Sequence, residues 1–306
     1  MSAHQPVSPD TVLQPRELGQ ILDQNFRVFG RSWRSLLSIG LVAAAPRLLF
    51  GLVVLFMTTE LASLLFDPWT DPVAYGGFSE FAVLAALGLL ALIALLVLLF
   101  YPLFKGALID VAARAVLHMD PVPLGESFRV GASRYGAMLG AHVLLVLLFI
   151  VALPVLALAG LVILAILTVP LGMVALAVFT VFTGHAVLVE QMGPVQALRR
   201  SFELAKSRFW PVLGAGFVYT ILGSVLGYII VGPFSFGATI VSELTGSLAP
   251  LALLYVVEAL VYAVITPFMA VGLTLVYFDT RIRREGYDLE MMARQQAESG
   301  AADEAP

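Results

Sequence analysis

Residues 135–189 form a stretch of 55 residues without an aspartate, glutamate, lysine or arginine. As a single helix this stretch would be roughly 80 Å long, because each residue adds about 1.5 Å. A hydrocarbon layer about 30 Å thick needs only about 20 apolar residues to be crossed. The stretch therefore predicts two membrane-crossing helices, and we place the turn between them near Gly160.

Four further apolar runs, residues 35–59, 81–104, 209–242 and 250–278, each satisfy the same length criterion. The whole chain is 60% hydrophobic and only 12% charged, whereas soluble domains average roughly 25% charged residues. We therefore expect an all-α integral membrane protein with six spans in one domain, residues 16–286. Residues 1–15 are predicted to be a disordered N-terminal tail, and residues 287–306 a cytoplasmic C-terminal tail.

The basic residues predict the orientation of the spans. Sixteen of the 17 fall on one side, in groups of four: Arg16, Arg27, Arg31, Arg34; Lys105, Arg114, Arg129, Arg134; Arg199, Arg200, Lys206, Arg208; Arg281, Arg283, Arg284, Arg294. The loops on the other side, residues 61–80 and 231–250, contain none. By the positive-inside rule, both termini are predicted to be on the cytoplasmic side of the cell membrane.

Three fifteen-residue stretches resemble one another: QNFRVFGRSWRSLLS from residue 24, ESFRVGASRYGAMLG from residue 126 and RSFELAKSRFWPVLG from residue 200. Their alignment superimposes two sets of aromatic residues seven positions apart, namely Phe26, Phe128 and Phe202, then Trp33, Tyr135 and Phe209. This spacing indicates one face of a helix. Each copy is predicted to be an amphipathic helix at the cytoplasmic interface, with the aromatic residues facing lipid and the basic residues facing anionic headgroups.

These stretches predict a unit that occurs three times: an interfacial helix, a span, an outer loop and a second span. The units cover about residues 16–118, 119–192 and 193–286. Because every unit begins on the cytoplasmic side, we expect parallel hairpin repeats related by an axis along the membrane normal. The alternative is that amphipathic helices preceding a span have become alike by convergence.

Three segments, RELGQILDQNFRVFGRSW, VLVEQMGPVQALRRSFELAKSRFWPVLG and VYFDTRIRREGYDLE, resemble the bacterial glycerophosphoryl diester phosphodiesterase membrane-domain family and its uncharacterised stand-alone relatives. The resemblance covers almost the whole chain and implies a six-span bacterial membrane module, which in some proteins is fused to a phosphodiesterase barrel. We expect no phosphodiesterase activity here, because only 27 residues follow Asp279 and the four histidines do not supply the metal-binding set of that barrel. The resemblance implies a fold and a location but no reaction.

Two charges lie well inside predicted spans, Arg47 and Glu258. An arginine at the bilayer centre costs at least about 2.5 to 3.5 kcal/mol and needs a partner. Counted from the span ends, the two residues differ by about 13 Å in depth, so a direct pair requires tilt or a kink such as Pro46 can provide. The alternatives are an arginine satisfied by carbonyls, tyrosines or water, and a transport site.

His142 and His185 lie near the cytoplasmic ends of the antiparallel third and fourth spans, where they could face one another. A metal site with Glu190 is one interpretation. Two hydrogen-bonded histidines at a helix interface are favoured instead, because no third strong ligand has metal-site spacing. We therefore predict no metal and no cofactor.

Small residues recur in the fifth span at Gly216, Thr220, Gly223 and Gly227, which are four, three and four positions apart. This spacing predicts a close helix-packing seam. Its partner is either another span of this chain or a second protomer.

The sequence contains no GxxxxGK[ST], HExxH or GxSxG motif and no cysteine, so it offers no catalytic signature. We predict a non-enzymatic membrane protein that acts as a scaffold or assembly module and binds anionic lipid headgroups, with a possible protein partner and no nucleic acid. The alternative is a transporter of small solutes or lipids, with Arg47 and Glu258 lining a polar cavity.

Overall fold

The chain is a multi-pass membrane protein built from long apolar helices. The computed structural model describes residues 16–66, 72–117, 124–159 and 165–286, and these residues form nine helices and no strand. Six helical stretches are long and apolar enough to span a membrane: Leu18–Leu55, Leu87–Val116, Tyr135–Ala159, Ile166–Leu188, Phe209–Thr245 and Ala249–Glu285. The predicted number of spans is confirmed. Both predicted tails and the turn near Gly160 lie outside the described residues.

The helices, numbered in chain order, are α1 Leu18–Phe66, α2 Pro72–Val116, α3 Leu124–Ser133, α4 Tyr135–Ala159, α5 Ala165–Thr180, α6 Thr183–Leu188, α7 Pro194–Ser207, α8 Phe209–Thr245 and α9 Ala249–Glu285. Helical backbone is the expected state of these apolar stretches, because hydrocarbon offers no hydrogen-bond partner to an open peptide group. Several helices extend well beyond the predicted spans. Helix α1 begins 17 residues before predicted span one, and a kink at Ser32 separates the first predicted interfacial helix from its span.

Three helical segments end at matching positions of the sequence. We call residues 18–31 of α1, helix α3 and helix α7 the leading helices. Each is followed by one non-helical residue, and these three residues, each six positions after the aligned phenylalanine, are Ser32, Arg134 and Arg208. The backbone of Ser32 has φ −109° and ψ 16°, and that of Arg208 has φ −136° and ψ 37°.

The six spans form a closed ring. Neighbouring contacts run from α1 to α2, then to α4, α5, α8, α9 and back to α1. The last parts of α2, α6 and α9 meet inside this ring, where α2 contacts both α6 and α9. We call residues 101–116 of α2, residues 178–188 of α5 and α6, and residues 267–285 of α9 the closing segments. Helix α3 packs against the closing segment of α2, and α7 packs against that of α5 and α6. The leading helix of α1 packs against the closing segment of α9.

The core lies where the three closing segments meet. Residues with no exposed surface occur in all three: Ala107, Ala112, Phe182, Ala186, Val187, Val271 and Tyr277. The rest of the bundle carries large apolar side chains on its outer surface, such as Leu158 and Ile166 at 78% and 79% exposure. Such a surface is expected where the surrounding solvent is lipid.

Candidate functional site at the basic end of the bundle

Ion pairs connect the leading helices to the closing segments at one end of the bundle, which we call the basic end. Asp110 accepts from Arg114 at 3.1 Å, and Arg114 lies 3.7 Å from Glu126 of α3. Asp279 accepts from the backbone N–H of Arg16 at 2.8 Å, just before α1. The charged residues here therefore link segments that are far apart in sequence.

The most enclosed of these networks is centred on Arg200 of α7. Its Nε donates to Glu190 Oε2 at 2.8 Å, and its other nitrogens contact both carboxylate oxygens of Glu285 at 2.6 and 2.7 Å. Burial lowers the pKa of Arg200, but the hydrogen bonds and charges of Glu285 and Glu190 raise it by more, so its net pKa is raised. The Tyr277 hydroxyl donates to Glu190 Oε1 at 2.6 Å. Arg200 is thus held as a permanent cation between two carboxylates.

The two predicted histidines have different neighbours. His185 is buried, with its Nε2 3.0 Å from Thr274 Oγ1 and its ring stacked on Tyr277 at 5.1 Å. Thr274 donates its hydroxyl hydrogen to Ala270, so His185 Nε2 is the donor and Nδ1 is left as an acceptor. His142 instead packs against the ring of Tyr101, 5.1 Å between centroids. Among the described residues, no group of three or more histidines and acids is placed to hold a metal ion.

Lys105 lies deeper in the bundle than the sequence predicts. It was counted among the charges at the membrane edge, yet it lies within the apolar helix Leu87–Val116. Its side chain passes over Gly184, where an added Cβ would be 3.2 Å from Lys105 Cε. The sequence indicates this placement through the apolar segment GALI, which immediately follows Lys105.

Arg47 and Glu258 are level with one another but do not form a salt bridge. Gly40 lies against Ala263 and Gly51 against Tyr255, so the antiparallel register of α1 and α9 brings Arg47 level with Glu258. The predicted difference of about 13 Å in depth is not found, because the predicted span ends are not the true helix ends.

The Arg47 guanidinium lies over the ring of Tyr262, 5.1 Å from its centroid, and the residue is exposed. No salt bridge joins it to Glu258 in the described part of the chain. A cation over an aromatic face is stabilised by about 0.5 to 2 kcal/mol, so a tyrosine partly satisfies this charge.

The six predicted interfacial aromatic residues fall into two groups. Phe26, Trp33 and Phe202 are exposed, at 56%, 47% and 45%. Phe128, Tyr135 and Phe209 are half-buried against the bundle. The Tyr135 hydroxyl donates to Leu99 O at 2.8 Å, so this half-buried side chain is bonded to the protein itself.

A buried polar residue precedes each aligned phenylalanine, and the sequence analysis did not single it out. These residues are Asn25, Ser127 and Ser201, all without exposed surface. Asn25 Nδ2 donates to Phe268 O at 3.1 Å, and Ser201 Oγ donates to Phe179 O at 2.8 Å. The signal was present in the aligned triplets QNF, ESF and RSF.

The predicted packing seam of α8 is divided by the structure. Side chains added at Gly223 and Gly227 would meet Ile265 of α9 at 3.2 and 4.0 Å, whereas one at Gly216 would meet nothing within 4 Å. Thr220 is exposed, and its hydroxyl donates to Gly216 O of its own helix. A closer contact between α8 and α9 lies elsewhere, where the ring of Tyr219 lies over Gly272.

No family model, curated protein or solved structure matches this chain. The resemblance to the glycerophosphoryl diester phosphodiesterase membrane-domain family therefore stays a prediction, and the functional argument rests on the geometry of the basic end.

Proposed function

We propose that this chain is a non-catalytic scaffold module of a bacterial cytoplasmic membrane, built from three parallel hairpin units whose leading helices hold its cytoplasmic face to anionic lipid. In this proposal the basic end is the cytoplasmic end, in agreement with the positive-inside rule. The observation that carries it is an aromatic contact that recurs in all three leading helices.

This shared contact joins an aromatic ring of each leading helix to one of a closing segment. Phe26 packs on Phe268 at 4.9 Å, Phe128 on Phe104 at 5.9 Å and Phe202 on Phe179 at 4.6 Å between ring centroids. Each of these three phenylalanines follows a buried polar residue and precedes a break in the helix by six positions. Recurrence of the contact around the ring supports repeated units with a common orientation.

The outer surface of the leading helices supports the lipid-binding part of the proposal. The exposed rings of Phe26 and Phe202 lie there. The leading helices also carry exposed cations: Arg27, Arg129, Arg199 and Lys206. Aromatic rings favour the headgroup level of a bilayer, and each nearby lysine or arginine contributes about 1 kcal/mol of attraction to an anionic leaflet. Three such helices on one rigid ring would bind the leaflet at three points.

The transporter alternative has less support. Arg47 and Glu258 share a depth, as a common polar site requires, but Arg47 is exposed over Tyr262 and does not contact the acid. The polar groups in the interior instead cluster at the basic end, around Glu190 and Arg200.

Gentle detergent extraction of the full chain followed by native mass spectrometry tests this function. We expect anionic phospholipid to remain bound at collision energies that remove phosphatidylcholine. The triple variant Arg27→Gln, Arg129→Gln, Arg199→Gln, which removes one exposed cation from each leading helix, should retain fewer anionic lipids. The matched control Glu243→Gln, at the opposite end, should retain the wild-type number. A lone, lipid-free wild-type monomer would contradict the proposal.

A further inference from the structure

A cavity of about 650 Å³ opens at the basic end, where α7 meets α8 and the end of α9 passes beside them. Four cationic residues line it, and the remaining wall is Ser207, Phe209, Trp210 and Pro211. The cations are Lys206, Arg208, Arg283 and Arg284. Among the residues that the structure describes, no carboxylate contributes to the wall.

The positive charge of this cavity exceeds the negative charge that the described residues place beside it. Asp279 is buried and is shared by Arg208 at 3.8 Å and Arg283 at 3.2 Å. Arg284 donates to the backbone carbonyl of Glu203, and neither Arg284 nor Lys206 forms a salt bridge within the described residues. Burial lowers the pKa of Arg208, Asp279 raises it and the neighbouring charge of Arg283 lowers it again, with a net decrease. The carboxylate of Asp279 therefore faces several of the cations that line the cavity.

The surroundings of the cavity match the headgroup level of a bilayer. Trp210 is 76% exposed on its wall, and tryptophan is enriched at membrane interfaces. Helix α8 starts at Phe209, after its N-cap residue Arg208. The first amides of a long helix have no carbonyl partner within it and favour an anion. Guanidinium groups are well suited to phosphate because they can donate two parallel hydrogen bonds to its oxygens.

We propose that this cavity is a phosphate-binding site, occupied by the phosphate of an anionic phospholipid headgroup or by free phosphate. Arg283 and Arg284 approach from α9 and Lys206 from α7, so an anion bound here would join the third leading helix to the last closing segment. The lipid form of this inference rests on the proposed function, because it needs the basic end at a leaflet surface.

The test uses the full chain in nanodiscs, with the double variant Lys206→Gln, Arg284→Gln. Both residues are exposed, so the fold should survive, and melting in pure phosphatidylcholine nanodiscs checks this. The control double variant Lys206→Arg, Arg284→Lys exchanges the same two residues but keeps both positive charges in the cavity. One arm adds phosphatidylglycerol and counts retained lipid by native mass spectrometry. The other arm titrates inorganic phosphate into phosphatidylcholine nanodiscs and follows the melting temperature.

We expect one phosphatidylglycerol per wild-type chain to resist removal, with affinity reduced roughly 25-fold in the cavity variant, about fivefold for each cation. The control variant should keep that lipid. A phosphate-dependent rise in melting temperature that the cavity variant loses would assign the site to free phosphate as well. If neither probe distinguishes the cavity variant from the control, the site is refuted. Retained lipid in both variants would refute it while leaving the proposed function intact, whereas a lipid-free wild type would contradict that function.

Discussion

A single hydroxyl group at Ser201 connects α7 to the break between α5 and α6. It donates to Phe179 O at 2.8 Å and accepts from the backbone N–H of Phe182 at 3.0 Å. Both backbone groups lie where the helix is interrupted, at residues that no longer have a regular i to i−4 partner. One buried side chain thus gives hydrogen-bond partners to both backbone groups at the interruption, and it also holds the leading helix α7 in place.

Ser201→Ala should lower the free energy of unfolding by about 1 to 3 kcal/mol, because the buried Phe182 N–H loses its acceptor. Thr220→Ala is the matched control, since Thr220 is exposed and its hydroxyl donates to Gly216 O of its own helix. We expect the control to change stability by less than about 0.5 kcal/mol. Unfolding of both variants in a detergent titration measures the difference. Equal stabilities would refute the role given to Ser201.

At this scale the sequence predicts residue types better than residue contacts. The aligned phenylalanines were recognisable because aromatic side chains recurred at a fixed spacing. Asn25 and Ser201 recur beside two of them, but the sequence does not show that each donates to a distant carbonyl, because a polar residue beside a basic cluster can equally face water. The contact between Asn25 and Phe268 joins residues 243 positions apart.

Helices α8 and α9 pack through a close approach of an aromatic ring to a glycine. A Cβ at Gly272 would lie 2.2 Å from Tyr219 Cζ, a separation that atoms cannot adopt. Tyr219 is almost fully buried, so its ring has little room to move aside. The position of α9 in the ring therefore depends on a residue without a side chain.

Gly272→Ala should destabilise the protein by about 1 to 3 kcal/mol, the usual cost of overpacking a tight core. Gly216→Ala is the control, because a side chain there meets nothing within 4 Å. The control should be neutral or stabilising by up to about 1 kcal/mol, as alanine is the better helix former. Thermal unfolding in one detergent compares the two variants. A neutral Gly272→Ala would show that this contact does not position α9.

The spacing of small residues predicts that α8 packs closely but does not identify the side that packs. Gly216, Thr220, Gly223 and Gly227 form one stripe in the sequence, yet only the last two glycines lie against α9. The buried side of α8 also includes Tyr219, whose large ring no small-residue pattern can indicate. Gly272 matters for helix packing because that ring lies over it.

The whole molecule is a ring of six spans closed by α1 and α9. Membrane thickness determines how many apolar residues each span needs, so the number of spans was predictable from hydropathy alone. Closure was not, because it depends on contacts such as Gly40 against Ala263. The ring explains why the three leading helices can share one environment although they lie in different parts of the sequence.

The central claim is that all three leading helices lie on the cytoplasmic side of the membrane, and site-directed labelling tests it most directly. The chain has no cysteine, so single replacements Arg27→Cys, Arg129→Cys, Arg199→Cys and, in the opposite loop, Ser247→Cys each supply one exposed thiol. A membrane-impermeant maleimide should label Ser247→Cys in intact cells and the other three only after lysis. Labelling of any leading-helix cysteine from outside intact cells would contradict the account.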